Sequence, residues 1–163
     1  MRTLFFDCFA GASGNMVLGA LIDLGLDREL LFDRVKGLGL AGYEIEIEKV
    51  DRSGISSTHL NVVIPVEKNH RHLHHIVDII ENSNLSEGVK ARSVAIFDRL
   101  AAAEARVHGI SVKKVHFHEV GAMDAIIDVV GACIAFEMLG IENFACSKIH
   151  VGSGFVDMEH GRF

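Results

Sequence analysis

The spacing of hydrophobic and polar residues changes period several times along the chain, and each change predicts an element. TLFFDCF (residues 3–9) is almost continuously apolar, which suits a central β-strand. A glycine-rich turn follows, after which Met16, Val17, Ala20, Leu21 and Leu24 fall at helical spacing, with Ser13 as N-cap and Gly25 as the stop. A second helix is expected from Asp27 to about Lys36. In YEIEIEKV (residues 43–50) apolar and acidic positions alternate, the period of a half-exposed strand. Ser53 and Gly54 turn the chain into a partner strand, STHLNVVIPV, with the only proline, Pro65, near its end.

From His72 onward, Leu73, Ile76, Val77 and Ile80 mark one helical face, interrupted at Asn82 to Asn84 and restarted by Ser86 as a cap, so a helical hairpin is expected. Its second arm, from about Glu87 to His108, should expose Arg92, Arg99 and Arg106 and bury Val94, Phe97, Leu100 and Ala101. Glu104 and His108 fall at the centre of that apolar face, where each needs a partner: a shared metal ion, each other, or a neighbouring strand. The segment from about Gly121 to Leu139 is apolar nearly all round, as buried helices are. FACSKIHVG (residues 144–152) reads as a last strand before the glycine-rich close GSGFVDMEHG. These elements predict an α/β fold, with α+β as the alternative: one domain over residues 1–163, with a mixed sheet, flanking helices and the helical hairpin on one side. The abrupt finish at Gly161, Arg162 and Phe163 reads as a piece of a longer protein.

Composition narrows the functional classes. With 49% hydrophobic and 23% charged residues the chain has the balance of a soluble globular domain. A formal charge of −6 without any Lys/Arg cluster argues against nucleic acid and anionic membranes as partners. No apolar stretch is long enough to span a bilayer, and Asp7 and Asn15 interrupt the apolar start, so it does not read as a signal peptide. Cys8, Cys133 and Cys146 are far apart and show no CxxC spacing, which points to reduced core thiols in a cytoplasmic protein. The apolar helix and the abrupt end make self-association as a homo-oligomer an expectation.

Three segments carry chemistry. HFHEVGAMDAIID brings His116, His118, Glu119, Asp124 and Asp128 together where a strand hands over to a helix, two imidazoles and three carboxylates suited to a divalent metal. Asp124 and Asp128 lie one turn apart on a face that continues through Gly131 and Ala135, and buried carboxylates need a compensating charge. HRHLHH contributes His70, His72, His74 and His75 at a helix entry, with Asp78 one turn from His74; this histidine-rich segment either captures metal or is a chance helix end. DCFAGASGNM offers a strand, turn and helix start whose Gly11, Ser13, Gly14 and Asn15 could cradle an anion, with Asp7 at the strand's C-terminal end able to hold a metal or a ligand hydroxyl. It lacks the lysine of a P-loop, and a purely structural turn accounts for it equally well.

DCFAGASGNM, HRHL, AEARVHG, HFHEVGAMDAIIDVVGA and GSGFVDMEHG, in that order and spanning the chain, resemble the N-terminal region of the nickel-insertion proteins of the LarC family. One departure is visible: the family usually has SGDM where this chain has Ser13, Gly14, Asn15 and Met16, which keeps an oxygen donor but loses a charge. The resemblance implies CTP-dependent insertion of Ni(II) into pyridinium-3,5-bisthiocarboxylic acid mononucleotide, forming the nickel-pincer cofactor, a cyclometallation of the lyase class with Mg or Mn accompanying CTP. It also implies a C-terminal nucleotide-handling region or chain as partner, with this chain as the nickel-holding part. The chemistry of such a reaction, rather than the family, assigns His116, His118, Glu119, Asp124 and Asp128 to the metal, Glu119 and Asp7 to catalysis with Glu119 the candidate base, and the histidines at 70–75 to nickel delivery. The turn from Gly11 to Asn15 is assigned to the phosphate of the mononucleotide precursor. The competing expectations are a non-catalytic nickel-delivery module and a metal-dependent phosphohydrolase.

Overall fold

The computed structural model describes residues 1–64, 71–117, 120–158 and 161–162. Its elements run β1 (Arg2–Phe6), α1 (Gly14–Asp23), α2 (Arg28–Val35), β2 (Glu44–Arg52), β3 (Ile55–Val63), β4 (Arg71–His72), α3 (Leu73–Glu81), α4 (Glu87–His108), β5 (His116–Phe117), α5 (Met123–Met138), β6 (Ile141–Cys146), β7 (Asp157–Met158) and β8 (Gly161–Arg162). This is an α/β fold. The mixture of parallel and antiparallel pairing is present, distributed over four two-stranded sheets: parallel β1–β6 and antiparallel β2–β3, β4–β5 and β7–β8.

The centre is α5. Its near-continuous apolar sequence leaves Ile126, Ile127, Val130, Cys133, Ile134 and Ala135 buried, with α1, α2 and α4 packed around it. Gly131 lets the Leu18 and Val35 side chains of α1 and α2 reach the α5 backbone. Phe136 extends the core to the β1–β6 sheet, meeting Phe6 and Phe144 edge to face with ring centroids 6.3 and 4.9 Å away.

Local chemistry sets the element ends. Asp27 caps α2 by accepting from the Leu30 N–H, and the Ser86 hydroxyl caps α4 by accepting from Val89. Ser13 is the N-cap residue of α1, but its hydroxyl donates to the Asn15 side chain rather than capping the helix. At the β2–β3 hairpin, Ser53 and Gly54 both take positive φ, 55° and 83°, the pair that a two-residue hairpin demands. The helical hairpin forms from α3 and α4, and α4 buries Val89, Ser93, Phe97, Ala101 and Ala105, a stripe repeating every four residues.

That stripe corrects one expectation. Glu104 and His108 are offset from it, the first half-buried and the second exposed, and they pair with each other at 3.2 Å rather than sitting at the centre of the buried face. Arg92 is not simply solvated either, since its guanidinium lies 5.6 Å from the Phe144 ring centre. Among the cysteines, Cys8 and Cys133 are core residues, whereas Cys146 is exposed at the end of β6. The expected central strand, β1, has β6 as its sole partner among the described strands. No helix among the described residues is long and apolar enough to cross a membrane.

Candidate metal and nucleotide site

Two of the three chemical segments meet at the β4–β5 ladder. Arg71 pairs with Phe117 and His72 with His116, so the histidine-rich segment and the central motif share one antiparallel register. The His72 and His116 rings lie 3.9 Å apart between centroids, and His74 and His75 extend the group, at 5.4 and 5.6 Å from His72 and 4.0 Å from each other. His74, His75 and His116 are exposed and His72 is half-buried, so this imidazole group faces solvent.

The His72 ring is held from two sides: its Nδ1 sits 3.0 Å from the Val115 carbonyl, and its side chain also meets the His75 backbone N–H in a reciprocal capping box at the start of α3. In return the His75 Nδ1 accepts from the His72 backbone N–H at 3.3 Å, which ties the start of α3. Arg71 completes the frame by donating to the Gly121 carbonyl at 2.8 Å, anchoring the turn between β5 and α5.

The carboxylates form a second pole at the start of α5. Asp124 accepts from the Ala125 N–H at 2.8 Å. Asp128 lies under the glycine-rich turn, so close that a Cβ on Gly14 would fall 2.4 Å from its Cβ and Oδ2; only glycine fits there. Burial, reinforced by the charge of Asp124, pushes the Asp128 carboxyl up to about 6, against the opposing pull of the Asn15 N–H. Its Oδ1 is buried without a hydrogen-bond partner among the described residues. The anion next to the N-terminus of α1 is therefore the protein's own Asp128, where an anion-binding turn was expected to receive a phosphate. Asp7 and Gly11 line a separate groove beside β1, and Ser13 and Asn15 bond to each other across the turn.

Among the described residues no three His, Cys, Asp or Glu side chains are placed so that they could hold a metal ion together. His70, His118 and Glu119 lie outside the described residues, as do Pro65 and His160. What residue-by-residue reading missed is that the two histidine segments form one group, a non-local pairing across 44 residues. Its only signal in the sequence is that both carry the H-x-H pattern of a strand.

The described residues thus gather imidazoles on the β4–β5 ladder and two carboxylates on the first turns of α5, nitrogen and oxygen donors of the kinds first-row divalent ions accept. The chain belongs to the nickel insertion protein family, whose match covers residues 4–163. It is 50% identical over 161 residues to the pyridinium-3,5-bisthiocarboxylic acid mononucleotide nickel insertion protein of Desulfitobacterium hafniense, covering 99% of this chain and 40% of that protein. It is 45% identical over 171 residues to the protein of the same name from Acetivibrio thermocellus, covering 99% and 42%. The chain thus spans about two fifths of the length of these relatives. No solved structure matches it.

Proposed function

We propose that this chain is the nickel-holding, N-terminal part of a protein that inserts Ni(II) into pyridinium-3,5-bisthiocarboxylic acid mononucleotide. The observation that carries the reading is the His72–His116 pair, which unites the two histidine segments in one register with their rings 3.9 Å apart between centroids. On this reading the substrate ion is captured by His72, His74 and His116, with His70, His75 and His118 from the same two segments, and passes to the carboxylate pole of Asp124 and Asp128. The reaction replaces a pyridinium ring C–H by C–Ni. The ring proton goes to a base, for which Glu119 is the candidate by its place in the motif, and the two thiocarboxylate sulfurs complete the grip on nickel.

Asp128 refines the phosphate role of Gly11, Ser13, Gly14 and Asn15. A carboxylate already stands at the α1 N-terminus, so the precursor's phosphate binds the turn together with a cation or with Asp128 protonated, and Asp7 at the end of β1 orients the bound nucleotide. The CTP requirement, its Mg or Mn ion and the lyase-class chemistry belong to the family-length protein, in a cytoplasmic setting with the nucleotide-handling region as partner. The alternative is a delivery module that holds nickel and never binds the precursor; the outward-facing imidazole group favours it.

Calorimetric titration with Ni(II), on the intact chain and on the His72→Ala/His116→Ala variant, tests the metal assignment. A loss of affinity of about tenfold or more, roughly 1.4 kcal/mol, is expected in the variant; unchanged binding would remove the imidazole group from the reading. Titration of the nickel-loaded chain with the precursor then separates the two roles, because only an insertion site binds it.

A further inference from the structure

The β1–β6 sheet is anomalous. Parallel strands occur almost only where both faces are covered and several strands share the ladder, yet β1 pairs with β6 alone among the described strands, and Phe5 on its outer face is 60% exposed. In a parallel ladder a residue sends its N–H and C=O to the same side, and successive residues alternate. The Phe6 carbonyl accepts from Ser147 and the Cys8 N–H donates to the Ser147 hydroxyl, so Phe6 and Cys8 face the β6 side. Thr3, Phe5 and Asp7 therefore turn their backbone groups to the opposite edge.

That edge borders a groove of about 610 Å³ between β1, α1 and the start of β3. Met16, Leu24 and Ile55 line it and are 50%, 65% and 66% exposed, so the trough presents apolar side chains to solvent. Its two walls differ. The outward N–H of Thr58 on β3 donates to Asp23 Oδ2 at 2.8 Å, so that edge is blunted by a carboxylate. The β1 edge has no such guard among the described residues.

We propose that the open edge of β1 is completed by a strand from the part of the family-length protein that this chain does not contain. The relatives carry about three fifths of their polypeptide beyond the matched portion, so a covalently attached strand is available to them. A second copy of this chain would bring a further charge of −6 against the first. The added strand would end beside Asp7 and Gly11, at the carboxyl end of β1 where open α/β sheets hold ligands. The nucleotide crevice is then built from both parts of the protein. The proposal stands on sheet geometry and does not depend on the nickel assignment.

Amide hydrogen exchange tests it without metal. In the present chain the amides of Leu4, Phe6 and Cys8 are expected to be protected and those of Phe5 and Asp7 to exchange as an open edge. In the full-length Desulfitobacterium hafniense relative the amides aligned with Phe5 and Asp7 are expected to slow about a hundredfold or more, because protection requires a hydrogen bond and not mere cover. Equal, fast exchange in both proteins would overturn the proposal. Protection in the present chain that grows with protein concentration would also overturn it, by assigning the edge to a second copy.

Discussion

Gly19→Ala turns the packing of α1 on β3 into a number. Gly19 is buried in the middle of α1, where alanine would ordinarily stabilise a helix by about 1 kcal/mol. Here a Cβ would stand 2.3 Å from the Thr58 carbonyl oxygen, roughly 1 Å short of contact distance. A backbone oxygen in a paired strand cannot rotate away, so the helix must retreat. Overpacking of this kind costs about 1–3 kcal/mol, and the retreat also weakens the bonds that Asp23, four residues further along α1, accepts from the Thr58 N–H and hydroxyl at 2.8 and 2.6 Å, each worth about 1 kcal/mol. After subtraction of the propensity gain, Gly19→Ala should destabilise by about 2 kcal/mol. Gly88 in α4 is the control: its nearest neighbour would be 3.6 Å away, so Gly88→Ala should be stabilising by about 0.5 kcal/mol. Urea unfolding followed by circular dichroism reads both, with the midpoint of Gly19→Ala lowered by about 1 M. A Gly19→Ala protein as stable as the parent would refute the seating of α1 on the β3 backbone.

Three further outcomes follow from the charges and thiols. Lys49 and Thr58 hold the Asp23 carboxyl down at about 2, below its ordinary 3.8, so the stabilisation is complete above pH 4 and is lost as pH falls through 3.8 towards 2. With that side chain a third exposed, Asp23→Asn should cost about 1 kcal/mol at pH 7, measured by denaturation across that window. Asp128 has the opposite sign: its carboxyl is raised to about 6, so its ionisation opposes folding at neutral pH, and metal-free protein should gain stability as pH falls from about 7 to 4. Asp128→Asn should flatten that slope and raise the melting temperature at pH 8; a lower melting temperature would contradict it. Of the three thiols, Cys146 should react rapidly with a thiol reagent while Cys8 and Cys133 stay protected until unfolding, because burial shields both and pushes the Cys133 thiol up.

What could be read from the residues was mostly local. The periods of α1, α5 and the β2–β3 hairpin, the start of α2 near Asp27, the cap at Ser86 and the turn at Ser53–Gly54 all depend on neighbours in sequence, and they appear where the pattern puts them. The helical face of α4 was misjudged because its mixture of alanines and charges lets two adjacent stripes compete; Ser93 and Ala105 are buried, while Glu104 stays at the edge. The site depended on longer connections. That Asp124 and Asp128 share one face of α5 followed from helical spacing, but that Gly14 would cover Asp128, or that His72 would meet His116, required strand pairing and helix packing across tens of residues. Locally such contacts leave only a glycine and an H-x-H repeat, and both of these occur in many folds where no distant partner meets them.

The β4–β5 ladder is two residue pairs long and closes a loop from His72 to His116. With only two backbone pairs to break, β4 can part from β5 at less cost than global unfolding, while the buried Phe117 keeps β5 in the core. An ion bridging its two strands would stay only as long as the strands stay together, and its residence time would track the breathing of the ladder more than the strength of any single metal–nitrogen bond. A carrier needs a firm hold, whereas a protein that must hand its ion to a waiting ring gains from a grip that loosens by itself. Nickel release faster than its equilibrium affinity would suggest is the kinetic signature of such a latch.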